Sequence, residues 1–346
     1  MMQSIDLDDT RTLRRTALVN DVIKELDTQH VLVVHGPPLT GKSYLAALVA
    51  RELAKRAATQ QQKVVVVSCS SASRSDDQTF SDMLKAEREV EWRDIASLPL
   101  DRFLVYLVVD DADSLDVNVA PSTSRAEKLT YFWYAIKRIL NDSRQNMRVL
   151  MFTTYVPSVQ YLPASVSLEF ARESTLAFPH LHLSREELKE YVMKWFAGFE
   201  SLGDQAAPFA ERVARVTGGH VGLSATVVDA LNKAYYSHVQ QSDARPPAKQ
   251  WMTMLEHALI GNHEDHELWD TLIASRAVNM LSTLSRKEMD ELNSLIRGAR
   301  AWESDDSKQL AVRRGILVPT EHGGVAFSSP VIESYWLKLL SVVEHA

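Results

Sequence analysis

The sequence predicts an α/β chain: a parallel sheet flanked by helices, then a helical segment, then a small module of helices around a β-hairpin. Three observations lead there. In the first half, short apolar runs alternate with helical patterns: VLVV at 31–34, KVVVVSCS at 63–70, FLVYLVVDD at 103–111, RVLMFTT at 148–154 and STLAF at 174–178. Their apolarity is continuous, not alternating, as expected of parallel strands buried on both faces. After about residue 183 such runs stop, and near the C-terminal end two short β-runs flank Glu321-His-Gly-Gly324, a hairpin turn signal.

Taken in order, residues 1–28 are a lead-in with a helix, and 43–58 and 126–141 carry apolar positions at helical spacing. Segments 71–80 and 117–125 are polar loops. Residues 184–198 and 208–238 read as helices, the first opened by Ser184 with Glu186 and Glu187 behind it as a cap. QQSDARPPAK at 240–249 reads as a linker or long loop. Helices near 266–283, 286–298 and 305–314 precede the hairpin of GILVPTEHGGVAFSS, and PVIESYWLKLL starts a last helix with proline in its first turn. That order is a winged-helix order. The expected division is 1–28, a core at 29–182, a helical lid at 183–260 and a winged-helix-like domain at 261–346.

The 346 residues, 45% apolar and 24% charged, have the composition of a soluble globular protein of two or three domains. No window holds the roughly 18 uninterrupted apolar residues of a membrane span, and MMQSIDLDDTRTLRR has no apolar signal core. A membrane partner is therefore not expected. Cys69, the one cysteine, excludes an internal disulfide and fits a reducing compartment, so an intracellular location, cytoplasmic or nuclear, is expected. The formal charge of −7 gives no general attraction to nucleic acid or anionic lipid. His/Cys groups at zinc spacing and nucleophile-elbow patterns are missing, and His257, His263 and His266 lie in a polar, solvated stretch.

Gly36-Pro37-Pro38-Leu39-Thr40-Gly41-Lys42-Ser43 fits G-x-x-x-x-G-K-[ST] at every fixed position, between a buried run and a helical pattern. The glycines let backbone N–H groups turn toward phosphate oxygens. Lys42 neutralises the β and γ charge, and Ser43 offers a hydroxyl to Mg²⁺, with Tyr44 next along a helix whose positive end faces the loop. Pro38 removes one N–H donor, and Leu39 stands where related loops carry glycine, which stiffens the loop. His35 is expected as a packing residue below the phosphates. Asp110 and Asp111 emerge at the carboxyl end of an apolar run, where ligands sit in open α/β sheets. Asp110 suits Mg²⁺ and its waters; Asp111 falls where a general base would orient water. Aspartate there, shorter than glutamate, suggests slow turnover. Asp113 is expected to be solvated or capping.

These motifs together resemble the STAND branch of P-loop ATPases, the nucleotide-dependent signalling switches. LVVDD resembles that family's strand ending in two acids. Val149-Leu-Met-Phe-Thr153-Thr154-Tyr155 is similar to its strand ending in Thr-Thr-Arg, which implies a γ-phosphate sensor at Thr153 or Thr154, with Tyr155 in place of the arginine. Val216-Thr-Gly-Gly-His-Val-Gly-Leu223 resembles its lid motif, with Val221 at the position of a proline that packs on adenine. Crinkler-type NTPases share the order of phosphate loop, GGHxGL lid and closing helix. A second resemblance is to the AAA+ origin-recognition and initiator ATPases, on GPPxTGKS, VVDDADSL and LEFARESTLAFPHLHLSREELKEYV. It implies that Arg172 reaches the γ-phosphate of a neighbouring subunit, although His220 and Val221 stand where those proteins usually carry a lid arginine.

From Glu264 onward nine Lys and Arg face thirteen Asp and Glu, a net charge of −4. Two aspartates open SDDSKQLAVRRGIL, the candidate recognition helix, and only Lys308, Arg313 and Arg314 make a basic spot. A docking module suits this composition better than a DNA reader. The resemblances and the motifs imply an ATP/ADP-binding, Mg²⁺-dependent ATPase with slow turnover. It would act as a conformational switch with a protein partner or through self-association; the alternative is a DNA-associated AAA+ assembly factor.

Overall fold

The computed structural model describes residues 7–59, 62–68, 104–112, 123–141, 146–154, 174–176, 178–196, 206–242, 274–296, 316–319 and 325–344, with the single residues 85, 253 and 271. They divide into two compact units. The first holds Arg14–Gly36 and Lys42–Ala177 with the segment ending at Leu7; the second holds Asp8–Leu13, Pro37–Gly41 and Phe178–Ala346.

The first unit is a five-stranded parallel sheet of β1 (Val31–His35), β2 (Gln62–Ser68), β3 (Leu104–Asp110), β4 (Met147–Thr153) and β5 (Thr175–Leu176), in the order β2-β3-β4-β1-β5. Val31–Val34, Leu107–Val109 and Val149–Phe152 are wholly buried, which is why their sequences are unbroken apolar runs. Helix α1 (Thr16–Gln29) buries Val19, Val22, Ile23 and Leu26, one face at spacings of three and four. It ends on His30 in the left-handed region, whose N–H caps the carbonyl of Leu26. Helices α2 (Lys42–Thr59) and α3 (Thr123–Asn141) bury Leu45, Val49 and Leu53, and Phe132, Trp133, Ile136 and Ile139. A polar link joins α1 to the sheet: the Tyr106 hydroxyl donates to Asp27 Oδ1 at 2.7 Å.

In the second unit, α4 (Arg185–Trp195) opens with a capping box. The Ser184 side chain accepts from the Glu187 amide at 3.1 Å, and the Glu187 carboxylate accepts from the Ser184 amide at 2.9 Å. Helices α5 (Ala206–Thr217) and α6 (Val221–Ser242) follow. The span 208–238, expected to be helical, is thus broken at Gly218–His220, where both glycines take positive φ. Then come α7 (Arg276–Asn279) with a 3-10 turn at Met280–Thr283, α8 (Arg286–Ile296), the antiparallel pair β6 (Leu317–Pro319) and β7 (Val325–Phe327), and α9 (Pro330–Glu344). The expected helix at 305–314 lies outside the described residues.

One hydrophobic cluster runs through this unit. It joins Leu188 and Val192 of α4, Phe209 and Val213 of α5, Leu223, Val227 and Leu231 of α6, Val278, Leu281 and Leu292, and Ile332 and Trp336 of α9. Leu13, far upstream in sequence, belongs to it. Its segment is tied in by Lys194 Nζ, which donates to the Thr12 carbonyl at 2.9 Å, and by Arg11, whose guanidinium lies 4.7 Å from the centre of the Trp195 ring. Among the described residues, no helix is long and apolar enough to cross a membrane.

Candidate functional site

The sheet order places β4 between β1 and β3, so His35, Thr153 and Asp110 end neighbouring parallel strands along one edge. His35 pairs in register with Thr153. The next amide, that of Gly36, donates to the Thr153 carbonyl at 3.2 Å, which fixes where the Gly36–Ser43 loop departs. Lys42, the first residue of α2, turns its ammonium back to the Gly36 carbonyl at 2.6 Å. Ser43 is exposed and Tyr44 partly buried in the same first turn. Burial first, and the Lys42 charge second, lower the His35 pKa from its usual 6.5 to about 4. The imidazole is therefore neutral at physiological pH, and the positive charge here is that of Lys42 together with the N-terminus of α2.

Within the second unit, Thr40 is buried and its hydroxyl donates to the Pro37 carbonyl at 2.7 Å. Leu39 and Gly41 both take positive φ, 64° and 85°. A glycine is at ease at such an angle; a leucine is strained there. The Leu39 carbonyl accepts the Gly222 amide at 2.8 Å, and a Cβ built on Gly41 would stand 3.0 Å from Val221 Cγ1. Pro37–Gly41 and Val221, expected from the sequence in a lid, are thus in direct contact. The sequence singled out Val221 but missed Gly222, the residue that bonds the loop. The only available signal was the third glycine of GGHVG.

Asp110 is buried at the end of β3, and Asp111, partly buried, takes φ 56°. Aspartate is one of the few side chains that tolerate this region. Thr153 is fully buried, while Thr154 is partly exposed. Of the two sensor candidates, Thr154 is therefore the accessible one. Arg172, Asp113, Tyr155, Cys69, Lys308, Arg313, Arg314 and the histidines 257, 263 and 266 lie outside the described residues.

Ser43 and Asp110 offer one hydroxyl and one carboxylate. Hard oxygen donors in small number suit Mg²⁺, which keeps several waters. No group of three or more His, Cys, Asp or Glu that could hold a metal ion occurs among the described residues, so an all-protein metal cage has no support there.

The family model described as Nephrocystin 3, N-terminal, matches residues 11–87. Among solved structures, the Walker-type ATPase PABY2304 of Pyrococcus abyssi is similar over 94% of this chain and 96% of its own, with a TM-score of 0.54 at 13% identity. The Aeropyrum pernix ORC1 protein, solved in complex with DNA, is similar at 15% identity and a TM-score of 0.41, over 100% of this chain and 97% of that one. Domain III of the Thermotoga maritima replication initiation protein DnaA is similar at 12% identity and a TM-score of 0.36, over 70% of this chain and 91% of that one. No curated protein matches the sequence. At such identities the likeness concerns the fold alone, and the fold is that of the P-loop NTPases.

Proposed function

We propose that the chain binds ATP and ADP with Mg²⁺ on the Gly36–Ser43 loop, hydrolyses ATP slowly and works as a nucleotide-dependent conformational switch. The observation that carries this reading is the loop itself. It leaves a parallel strand buried from Val31 to Val34, passes Gly41 at φ 85° and enters α2 on Lys42 and Ser43. Such a loop presents backbone N–H groups, a helix N-terminus and one ammonium to a polyphosphate.

In this reading Lys42 exchanges its bond to the Gly36 carbonyl for the β and γ phosphates. Gly36, Pro37, Pro38, Leu39, Thr40 and Gly41 line the phosphates with Ser43 and Tyr44. Ser43 and Asp110 would hold Mg²⁺, which when bound would supply charge neutralisation at the phosphate oxygens. Asp111 orients the attacking water and takes its proton as the bond between γ-phosphorus and ADP oxygen breaks. Thr154, with Thr153 behind it, responds to the γ-phosphate, and Val221 packs on the adenine. In the alternative, an assembly ATPase, Arg172 would reach the γ-phosphate of a neighbouring copy. The residues 183–260 act as a lid and 261–346 as the winged-helix-like output. An aspartate as base shortens the reach to water by one methylene, which supports slow turnover and long retention of the nucleotide. The input and the output then come from a protein partner or from self-association.

The test is single-turnover hydrolysis by the purified chain beside Lys42→Ala and Asp111→Asn, with mass in solution recorded in ATP and in ADP. The switch requires turnover far below one per second, lost in both variants, and a nucleotide-linked change of mass or shape. Fast turnover that rises with protein concentration and collapses on Arg172→Ala would replace it with an assembly ATPase.

A further inference from the structure

Each of three glycines at the junction of α5 and α6, Gly218, Gly219 and Gly222, meets a different part of the second unit. Gly222, in the first turn of α6, donates its amide to the Leu39 carbonyl at 2.8 Å. A Cβ on Gly222 would lie 2.5 Å from that oxygen and 2.6 Å from Leu39 Cβ, so no other residue fits without moving the loop. Gly219 accepts the Leu183 amide at 2.9 Å, just ahead of the α4 capping box. Gly218, at φ 64°, is so close to α9 that a Cβ there would stand 3.0 Å from Pro330 Cδ.

The turn is also braced internally. Thr217, fully buried, donates its hydroxyl to the Val213 carbonyl and shares a hydrogen bond with the Ser224 hydroxyl, both at 2.8 Å. The His220 Nδ1 accepts the Leu223 amide at 3.4 Å. The end of α5 and the start of α6 are therefore bound to each other, and a displacement of Gly222 carries Gly218 with it. On the other side, Leu39 sits in a backbone region that a leucine occupies only when its surroundings hold it there. Gly222 is such a surrounding.

We propose that Leu39 and Gly222 form a backbone clasp that makes the phosphate loop and the Gly218–Gly222 turn change conformation only together, and that the turn delivers this change to α9 at Pro330. Gly222 is then a positioning residue for the loop, and α9 is the element through which the nucleotide state leaves the unit. The inference rests on nucleotide binding at the loop and adds to it a route and an output element.

Hydrogen–deuterium exchange of the full chain, with Mg²⁺ADP and with a non-hydrolysable ATP analogue, tests the clasp while a fluorescent ADP titration on the same samples gives occupancy. The expected result in the unaltered chain is a change of about threefold or more in exchange of amides 218–224 and 331–336 between the two nucleotides. Gly222→Ala, with nucleotide still bound, loses most of the response at 331–336. Pro330→Ala keeps both nucleotide affinity and the response of the turn while weakening that of α9, and it carries the test if Gly222→Ala does not fold. Bound nucleotide with no change at 331–336, or a full response in folded Gly222→Ala, overturns the clasp alone. Absence of nucleotide binding overturns the binding reading and the clasp with it.

Discussion

The Lys42 ammonium donates to the Gly36 carbonyl at 2.6 Å, so the charge that would meet a phosphate is held at the mouth of its own loop. The contact suits a compact point charge on a flexible stem; a planar guanidinium needs more room and a different donor geometry. Lys42→Arg is therefore expected to keep the charge and still lose at least about tenfold in ATP affinity, about 1.4 kcal/mol. Fluorescent-nucleotide titration measures the affinity. Chemical denaturation should show a stability change within about 1 kcal/mol, because one partly solvated hydrogen bond is at stake.

Asp111 combines a candidate chemical role with a left-handed backbone at φ 56°. Asparagine tolerates the same region, so Asp111→Asn should leave stability within about 0.5 kcal/mol of the original while removing the base. Asp111→Val should instead cost about 1 to 2 kcal/mol, because a β-branched side chain is poorly accommodated there. Equal denaturation midpoints for the two variants would contradict the backbone argument. Retained single-turnover hydrolysis in Asp111→Asn would remove the proposed base.

His35 gives the first unit a defined acid sensitivity. The unfolded chain takes up the proton near the ordinary pKa of 6.5, the folded one only near 4, because of burial and then Lys42. Between those values the unfolded state binds more protons, so stability falls as pH drops through the window and is unaffected by this group above it. The loss expected by pH 4 is about 3 kcal/mol, and His35→Asn should flatten that part of the pH–stability curve. Denaturant titrations at pH 7, 5.5 and 4 would show it.

Tyr106 donates to Asp27 at 2.7 Å between β3 and α1, and burial, reinforced by that bond, raises its pKa, so the phenol remains a donor across the physiological range. Tyr106→Phe should cost about 0.5 to 1.5 kcal/mol, the net worth of one hydrogen bond, since water can replace the donor at the exposed Asp27 carboxylate. Nucleotide affinity should not change, because the pair lies at the start of β3 and Asp110 at its end. A drop in affinity without a drop in stability would argue against this separation.

Much of the sheet was legible because burial on both faces leaves no alternation: VLVV, FLVYLVVDD and RVLMFTT became β1, β3 and β4 within a residue or two. STLAF was expected to give five residues of strand and gives two, Thr175 and Leu176, paired only with β1 at the edge of the sheet. The phosphate loop and the Ser184 cap were readable because their chemistry is local. The break at Gly218–His220 was passed over because apolar spacing continues across it, although the Gly218-Gly219 pair is a turn signal and both glycines take positive φ. The contact between Leu39 and Gly222 was not readable, since it joins distant segments that no periodicity links. Leu39 itself was noticed as the wrong residue for its motif, but its left-handed backbone is a property of the folded chain.

The bond from Lys194 to Thr12 spans 182 positions of sequence, and Leu13 enters a core built otherwise from residues beyond 180. Closing so large a loop delays the contacts that reward it. At ribosomal speeds the segment Asp8–Leu13 would wait on the order of ten to forty seconds for Lys194 to be made, and longer for α9. The whole sheet unit is translated in that interval and can fold first. Completion of the second unit is then a late event in the birth of the molecule, and a nascent chain arrested before α9 would leave uncovered the apolar faces of α4, α5 and α6 that Ile332 and Trp336 join in the finished core.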